Sequence, residues 1–164
     1  MSLFDKQSLC LLTVARTGVV LVRKNFELGV EFTSLLIKAD RALDIALRDW
    51  PVENDTGVEF WVKGKLHRWL RSQPASRSEW EIINFLTLSI LALTDMHERV
   101  VEMRRKQRDK AEMRQKQMEL LEPVFTPLQD VLDFIAPGGV NHEVFSSSDI
   151  LMKELYFIIE LTER

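Results

Sequence analysis

The clearest apolar stripe in the chain lies between Phe32 and Leu47. Leu35, Leu36, Ala39, Ala42, Leu43, Ala46 and Leu47 recur at three- and four-residue intervals, the period of a helix with one face on a core. Pro51 stops this helix, because the residue before a proline avoids the α region, and Gly29 marks a break or a close contact ahead of it. The preceding stretch carries two competing patterns. Leu9, Leu12, Val19, Val22 and Phe26 suit a helix, with Ser2 and Asp5 as a capping pair at its start. Leu11-Leu12-Thr13-Val14 and Val19-Val20-Leu21-Val22 instead resemble two strands joined by a turn at Arg16-Thr17-Gly18. We read residues 8–24 as helix, with an N-terminal β-hairpin as the alternative.

Beyond the loop at residues 51–55, Thr56 and Glu59 fit a capping box, and the helix they start places Val58, Trp61, Val62, Leu66, Trp69 and Leu70 on one face. After Pro74, Ser76 with Glu79, or Ser78 with Glu81, supplies another. Neither proline nor glycine then occurs before Pro123. Ile83, Leu86, Ile90, Leu93, His97 and Val100 alternate by three and four as coiled-coil core positions do. The seam continues more weakly through Arg104, Gln107, Ala111, Arg114, Met118 and Leu121. A single helix of roughly 45 residues would be about 65 Å long, which is longer than a small domain is wide. It therefore protrudes, breaks around residues 104–109, or is covered by a partner. Thr126-Pro127-Leu128-Gln129 reads as the start of a short helix ending at Pro137-Gly138-Gly139. A last helix follows Ser146-Ser147-Ser148-Asp149, with the stripe Leu151, Leu155, Ile158 and Leu161. The expected fold is all-α: a five- or six-helix bundle in one domain over residues 1–164, with one long, partly protruding charged helix and residues 98–121 as a helical extension.

Composition supports a packed core, with 46% hydrophobic residues and only six glycines and five prolines in 164 residues. A net charge of −3 gives the whole chain no bias towards nucleic acid or anionic membrane, so any such binding needs a local patch. Cys10 is the lone cysteine and sits among Leu9, Leu11 and Leu12. A disulfide within the chain and a thiolate metal cluster are both excluded, and a small buried hydrophobe is the expected role. The longest apolar run, Leu9 to Val22, is interrupted by Arg16 and is shorter than the ~20 residues of a membrane span. No secretory signal is apparent, and a cytoplasmic location is expected.

The search for chemistry is mostly negative. There is no Gly-x-Ser-x-Gly elbow and no phosphate loop; Gly138-Gly139 is followed by Val140. His97-Glu98 begins a helical zinc pattern, but Val101 stands where the second histidine would be. His67, His97 and His142 all lack a glutamate three residues earlier, which a carboxylate-bridged di-metal bundle requires. The Asp95, His97 and Glu98 cluster is a weak ion site at best, and His97 is read as closing the apolar part of its helix. No cofactor or metal is expected, and the chain is read as a non-enzyme; acidic groups gathered from several helices are what a motif search misses.

The charged stretch from Glu98 to Glu119 is the best functional candidate. Arg104, Lys106, Arg108, Lys110 and Arg114 spread over one broad side of a helix, a geometry that suits phosphate contacts. Glu102 with Lys106, and Glu112 with Lys116, are favourable pairs four apart, so a solvated helix face explains much of the same pattern. Lys63, Lys65, His67, Arg68 and Arg71 beside Trp61 and Trp69 form a second basic and aromatic patch, although the tryptophans share the core face of their helix. Met96, Met103, Met113 and Met118 lie on or near the long helix, where methionines suit adaptable contacts. A half-polar helix of this length has too little apolar surface to pack wholly within its own domain. The leading expectation is a non-enzymatic adaptor or small subunit of a larger assembly, joined to itself or to another protein by helix–helix contacts through Val100, Met103, Ala111, Met118 and Leu121. The alternative is a nucleic-acid-binding accessory protein that uses Arg104, Lys106, Arg108, Lys110 and Arg114.

Overall fold

The computed structural model describes residues 3–25, 29–51, 64, 79–106 and 108–138. Among these residues the chain forms four α-helices and no strand: α1 (Leu3–Asn25), α2 (Val30–Asp49), α3 (Glu79–Lys106) and α4 (Ala111–Ile135), with a 3-10 turn at Arg108–Lys110 between the last two. The helices expected after Thr56 and after Ser146, the patch around Trp61 and Trp69, and the serine caps before α3 lie outside the described residues.

Residues 8–24 are helical, and the β-hairpin alternative is not what forms. The strand-like Val19–Val22 run is over-ruled by burial: nearly every side chain from Ser8 to Val22 is out of water, and an α-helix satisfies all backbone groups of such a segment internally. Its polar side chains are also satisfied. Thr13 Oγ1 donates to the Leu9 carbonyl at 2.9 Å and Thr17 Oγ1 to the Thr13 carbonyl at 2.7 Å, the back-bonding that lets threonine sit inside a buried helix. Gly18, the expected turn residue, is instead where α1 lies closest to α3. A β-carbon there would be 3.3 Å from Leu86 Cδ1 and 3.4 Å from two atoms of the Phe85 ring.

The α2 stripe behaves as its spacing indicates. Phe32, Leu36, Ala39, Leu43 and Ala46 are buried, Leu35, Ala42 and Leu47 pack beside them, and the helix ends at Trp50 in extended backbone before Pro51. Four contacts fix α1 against α2 in antiparallel order. The indole Nε1 of Trp50 donates to Ser8 Oγ at 3.2 Å. Arg16 reaches across to Asp40 and Asp44, each at 3.1 Å. Arg23 lies 3.7 Å from Asp40, while Asp44 also pairs with Arg48 one turn along.

The long helix is not continuous. It stops at Lys106, turns through Arg108–Lys110 and returns as α4, which packs along α3. The rings of His97 and Phe125, on opposite arms, stand 4.8 Å apart. This is the break that the charge-rich stretch at residues 104–109 permitted, and the protruding rod is not seen. The second correction concerns α4 itself, which runs unbroken through Pro123 and Pro127, where the sequence reading ended one helix and began another. Each interior proline removes a backbone bond and costs about 3 kcal/mol. Leu121, Val124, Leu128, Val131 and Leu132 are buried along the same helix, and burying such side chains contributes about 1.5–3 kcal/mol each, which outweighs the loss. Pro123 is exposed and Pro127 half-buried, so neither ring intrudes on the core.

α1 packs against α2 and α3, and α4 packs against the same two helices. The four therefore form a ring around one continuous apolar core. At one end the start of α2 meets the end of α4, where the rings of Phe32 and Phe134 stack 4.6 Å apart.

Candidate interaction groove

Folding α4 back on α3 divides the five apolar positions expected to bind a partner. Val100 and Leu121 are fully buried in the bundle's own core, so they hold the two arms together and present no outer surface. Met103, Ala111 and Met118 are half-buried, and both methionines pack against the core from its edge. Of these, Met118 lines a groove of about 690 Å³ between α3 and α4 that opens to solvent.

The rest of the groove follows from helix geometry. From α3 come Ile90, Thr94, His97 and Glu98, residues three, four and eight apart that share a face; from α4 come Met118, Glu122, Phe125 and Asp130, with Thr126, Leu128 and Gln129 between them. Ile90 and Leu128 are buried, whereas Met118, His97 and Phe125 are half-buried. Glu98, Glu122 and Asp130 are exposed, and none of the three forms an ion pair among the described residues. Among the described residues the lining contains no lysine or arginine.

The basic strip is likewise rearranged. Arg104, Lys106, Arg108 and Lys110 are all exposed and gather at the apex where α3 turns into α4. Lys106 pairs with Glu102 at 2.9 Å as their spacing indicated, and this contact holds the Glu102 carboxyl below its usual range. Arg114 does not belong to the strip. Its side chain is 1% exposed and its Nη1 donates to Gln117 Oε1 at 2.9 Å inside the bundle. A guanidinium in the core holds its place only with hydrogen-bonded partners, so Arg114 is a structural residue.

Cys10 is fully buried, and desolvation pushes its thiol from the usual 9.0 up to about 12; a thiol so raised is neither a nucleophile nor a ligand. Among the described residues no three His, Cys, Asp or Glu side chains come together in a group that could hold a metal ion, and no helix is long and apolar enough to cross a membrane.

Phe125, Leu128, Glu122 and Asp130 escape the sequence reading as site residues because two prolines read locally as a helix boundary. The signal was present. Leu121, Val124, Leu128, Val131 and Ile135 step by three and four straight across both prolines. That stripe indicates a helix that continues, and it places Phe125 one turn beyond Leu121. No protein-family model matches the chain, and neither a curated protein nor a solved structure is detectably similar to it.

Proposed function

We propose that this chain is a non-enzymatic, cytoplasmic adaptor or small subunit of a larger assembly, which engages its partner by helix–helix contact at the α3–α4 hairpin. The observation that carries the reading is the open groove between the two arms, where Met118 and Phe125 remain half-buried with no further helix of the described residues on top of them. Apolar side chains left at a concave helix–helix seam are the usual anchors for an incoming helix. The contact surface shifts accordingly, from the seam Val100, Met103, Ala111, Met118 and Leu121 to the groove edge that Met118 shares with Phe125. To test it, a photo-crosslinking residue is placed at Met118, or at exposed Lys38 on α2 as a control, in cells that naturally make the protein. A defined adduct from Met118 and none from Lys38 supports the reading; no adduct, or the same adducts from both positions, contradicts it.

A second reading, a nucleic-acid-binding accessory protein, draws on the apex, where Arg104, Lys106, Arg108 and Lys110 all face water. Phosphate contacts release counterions, so binding through this apex has to weaken steeply as salt rises. Replacing Arg104, Arg108 and Lys110 by glutamate has to abolish it while the helical content stays unchanged.

A further inference from the structure

We infer that the α3–α4 groove receives a short amphipathic helix from another protein, with lysine or arginine flanking its apolar face. The inference rests on the adaptor reading and names the chemistry of the partner.

Charge is the first argument. Three exposed carboxylates, Glu98 on α3 with Glu122 and Asp130 on α4, line the groove, and among the described residues they have no ion-pair partner and no lysine or arginine lines it with them. Arg104, Lys106, Arg108 and Lys110 are exposed apart from it, at the apex. The groove is therefore lined by acidic side chains among the described residues, and it selects a cationic occupant and repels an anionic one. A single metal ion is the wrong occupant: the carboxylates do not converge into a group that could hold one.

Length and shape come next. The α4 side runs from Met118 to Asp130, about 18 Å at 1.5 Å per residue, which matches a helix of roughly three turns. Met118 and Phe125, seven residues apart, are on one helical face and give an occupant two apolar contact points two turns apart. An open trough of this length fits an elongated segment better than a compact ligand, which is normally enclosed on most sides. The His97 ring, tilted against Phe125 at 4.8 Å, lines the groove beside it.

The test uses the full chain and two synthetic probes. One is a fluorescein-labelled peptide of about 14 residues with leucine at helical spacing and lysine elsewhere; the other has glutamate for every lysine. Binding is read by fluorescence anisotropy at about 0.15 M salt, where exposed charges are already partly screened. The lysine peptide is expected to bind and the glutamate peptide is not. Neutralising the rim with Glu98→Gln, Glu122→Gln and Asp130→Asn, all at exposed positions that leave the core untouched, should weaken binding about tenfold, as three rim ion pairs would. Met118→Lys should abolish it. Failure of the lysine peptide to bind, equal binding of both peptides, or binding that the triple variant and Met118→Lys leave unchanged overturns the inference. A Met118 crosslink that the lysine peptide does not displace keeps the adaptor reading and removes the basic helix as occupant. Absence of both the crosslink and peptide binding removes both.

Discussion

Gly18 gives the sharpest test of how α1 sits in the bundle. A β-carbon added there lies 3.3 Å from Leu86 Cδ1 and 3.4 Å from two Phe85 ring atoms, against about 3.5–4.0 Å for a relaxed carbon–carbon contact. Alanine thus asks its neighbours to move a few tenths of an ångström. In return it supplies a helix preference worth about 0.8–1.0 kcal/mol over glycine. These effects oppose each other at similar size, so Gly18→Ala should leave stability within about 1 kcal/mol of the parent. Valine places two more methyl groups against the same packed ring and leucine, and overfilling a core costs about 1–3 kcal/mol. Gly18→Val should therefore be about 2 kcal/mol less stable than Gly18→Ala. That difference corresponds to a fall in Tm of about 4–8 °C for a domain of this size. Guanidinium unfolding followed by far-UV circular dichroism measures it, with an unchanged m-value required for the comparison. A valine variant as stable as the parent would show that α1 does not cross α3 at Gly18. An alanine variant several kcal/mol less stable would point instead to the left-handed turn that a β-hairpin at Arg16-Thr17-Gly18 needs.

Other outcomes follow from burial and charge. Cys10 stays protonated in the fold up to about pH 12 but ionises from its usual 9.0 in the unfolded chain. Its contribution is therefore intact below pH 9 and is lost as pH rises towards 12. That loss amounts to about 1.4 kcal/mol per pH unit and should vanish from the alkaline stability profile of Cys10→Ala. The same thiol should resist alkylating reagents at neutral pH until the chain unfolds, which a denaturant titration with mass detection reads directly. Leu121, fully buried between the arms, should cost about 2–5 kcal/mol when replaced by alanine. Gln117→Ala removes an acceptor from the buried Arg114 guanidinium and should destabilise by about 1.5–3 kcal/mol. Arg114→Glu should unfold the bundle at ordinary temperature, while Lys110→Glu at the exposed apex should leave thermal unfolding nearly unchanged.

Much of this architecture is legible in the pattern of apolar positions, and the misreadings have specific causes. The stripes of α2 and of early α3 are legible because each buries one face of an otherwise polar helix. α1 is ambiguous because periodicity fades when most positions are buried, and Val19-Val20-Leu21-Val22 satisfies strand and helix templates alike. The reversal at Arg108–Lys110 has no glycine or proline to announce it. A 3-10 turn of Arg108, Asp109 and Lys110 needs no special backbone, and only the charge density and the excessive length of a continuous rod hinted at a break. At α4 the error ran the other way, since Pro123 and Pro127 are strong local signals that tertiary packing over-rides. Helical angle alone places Arg114 on the basic strip. Its burial depends on which side α4 turns towards α3 and α2, and that is a property of the assembled bundle.

The groove exists only if α3 and α4 fold into a hairpin, because a continuous rod would have neither the groove nor the buried Val100 and Leu121. Spin labels at Glu98 and Glu122, both exposed and both lining the groove, report on it through double electron–electron resonance. Two arms packed at the usual interhelical spacing of about 8–10 Å should give a label separation below about 25 Å. A principal distance near 36 Å, the length of 24 residues at about 1.5 Å each in a single straight helix, would contradict the hairpin and the groove with it.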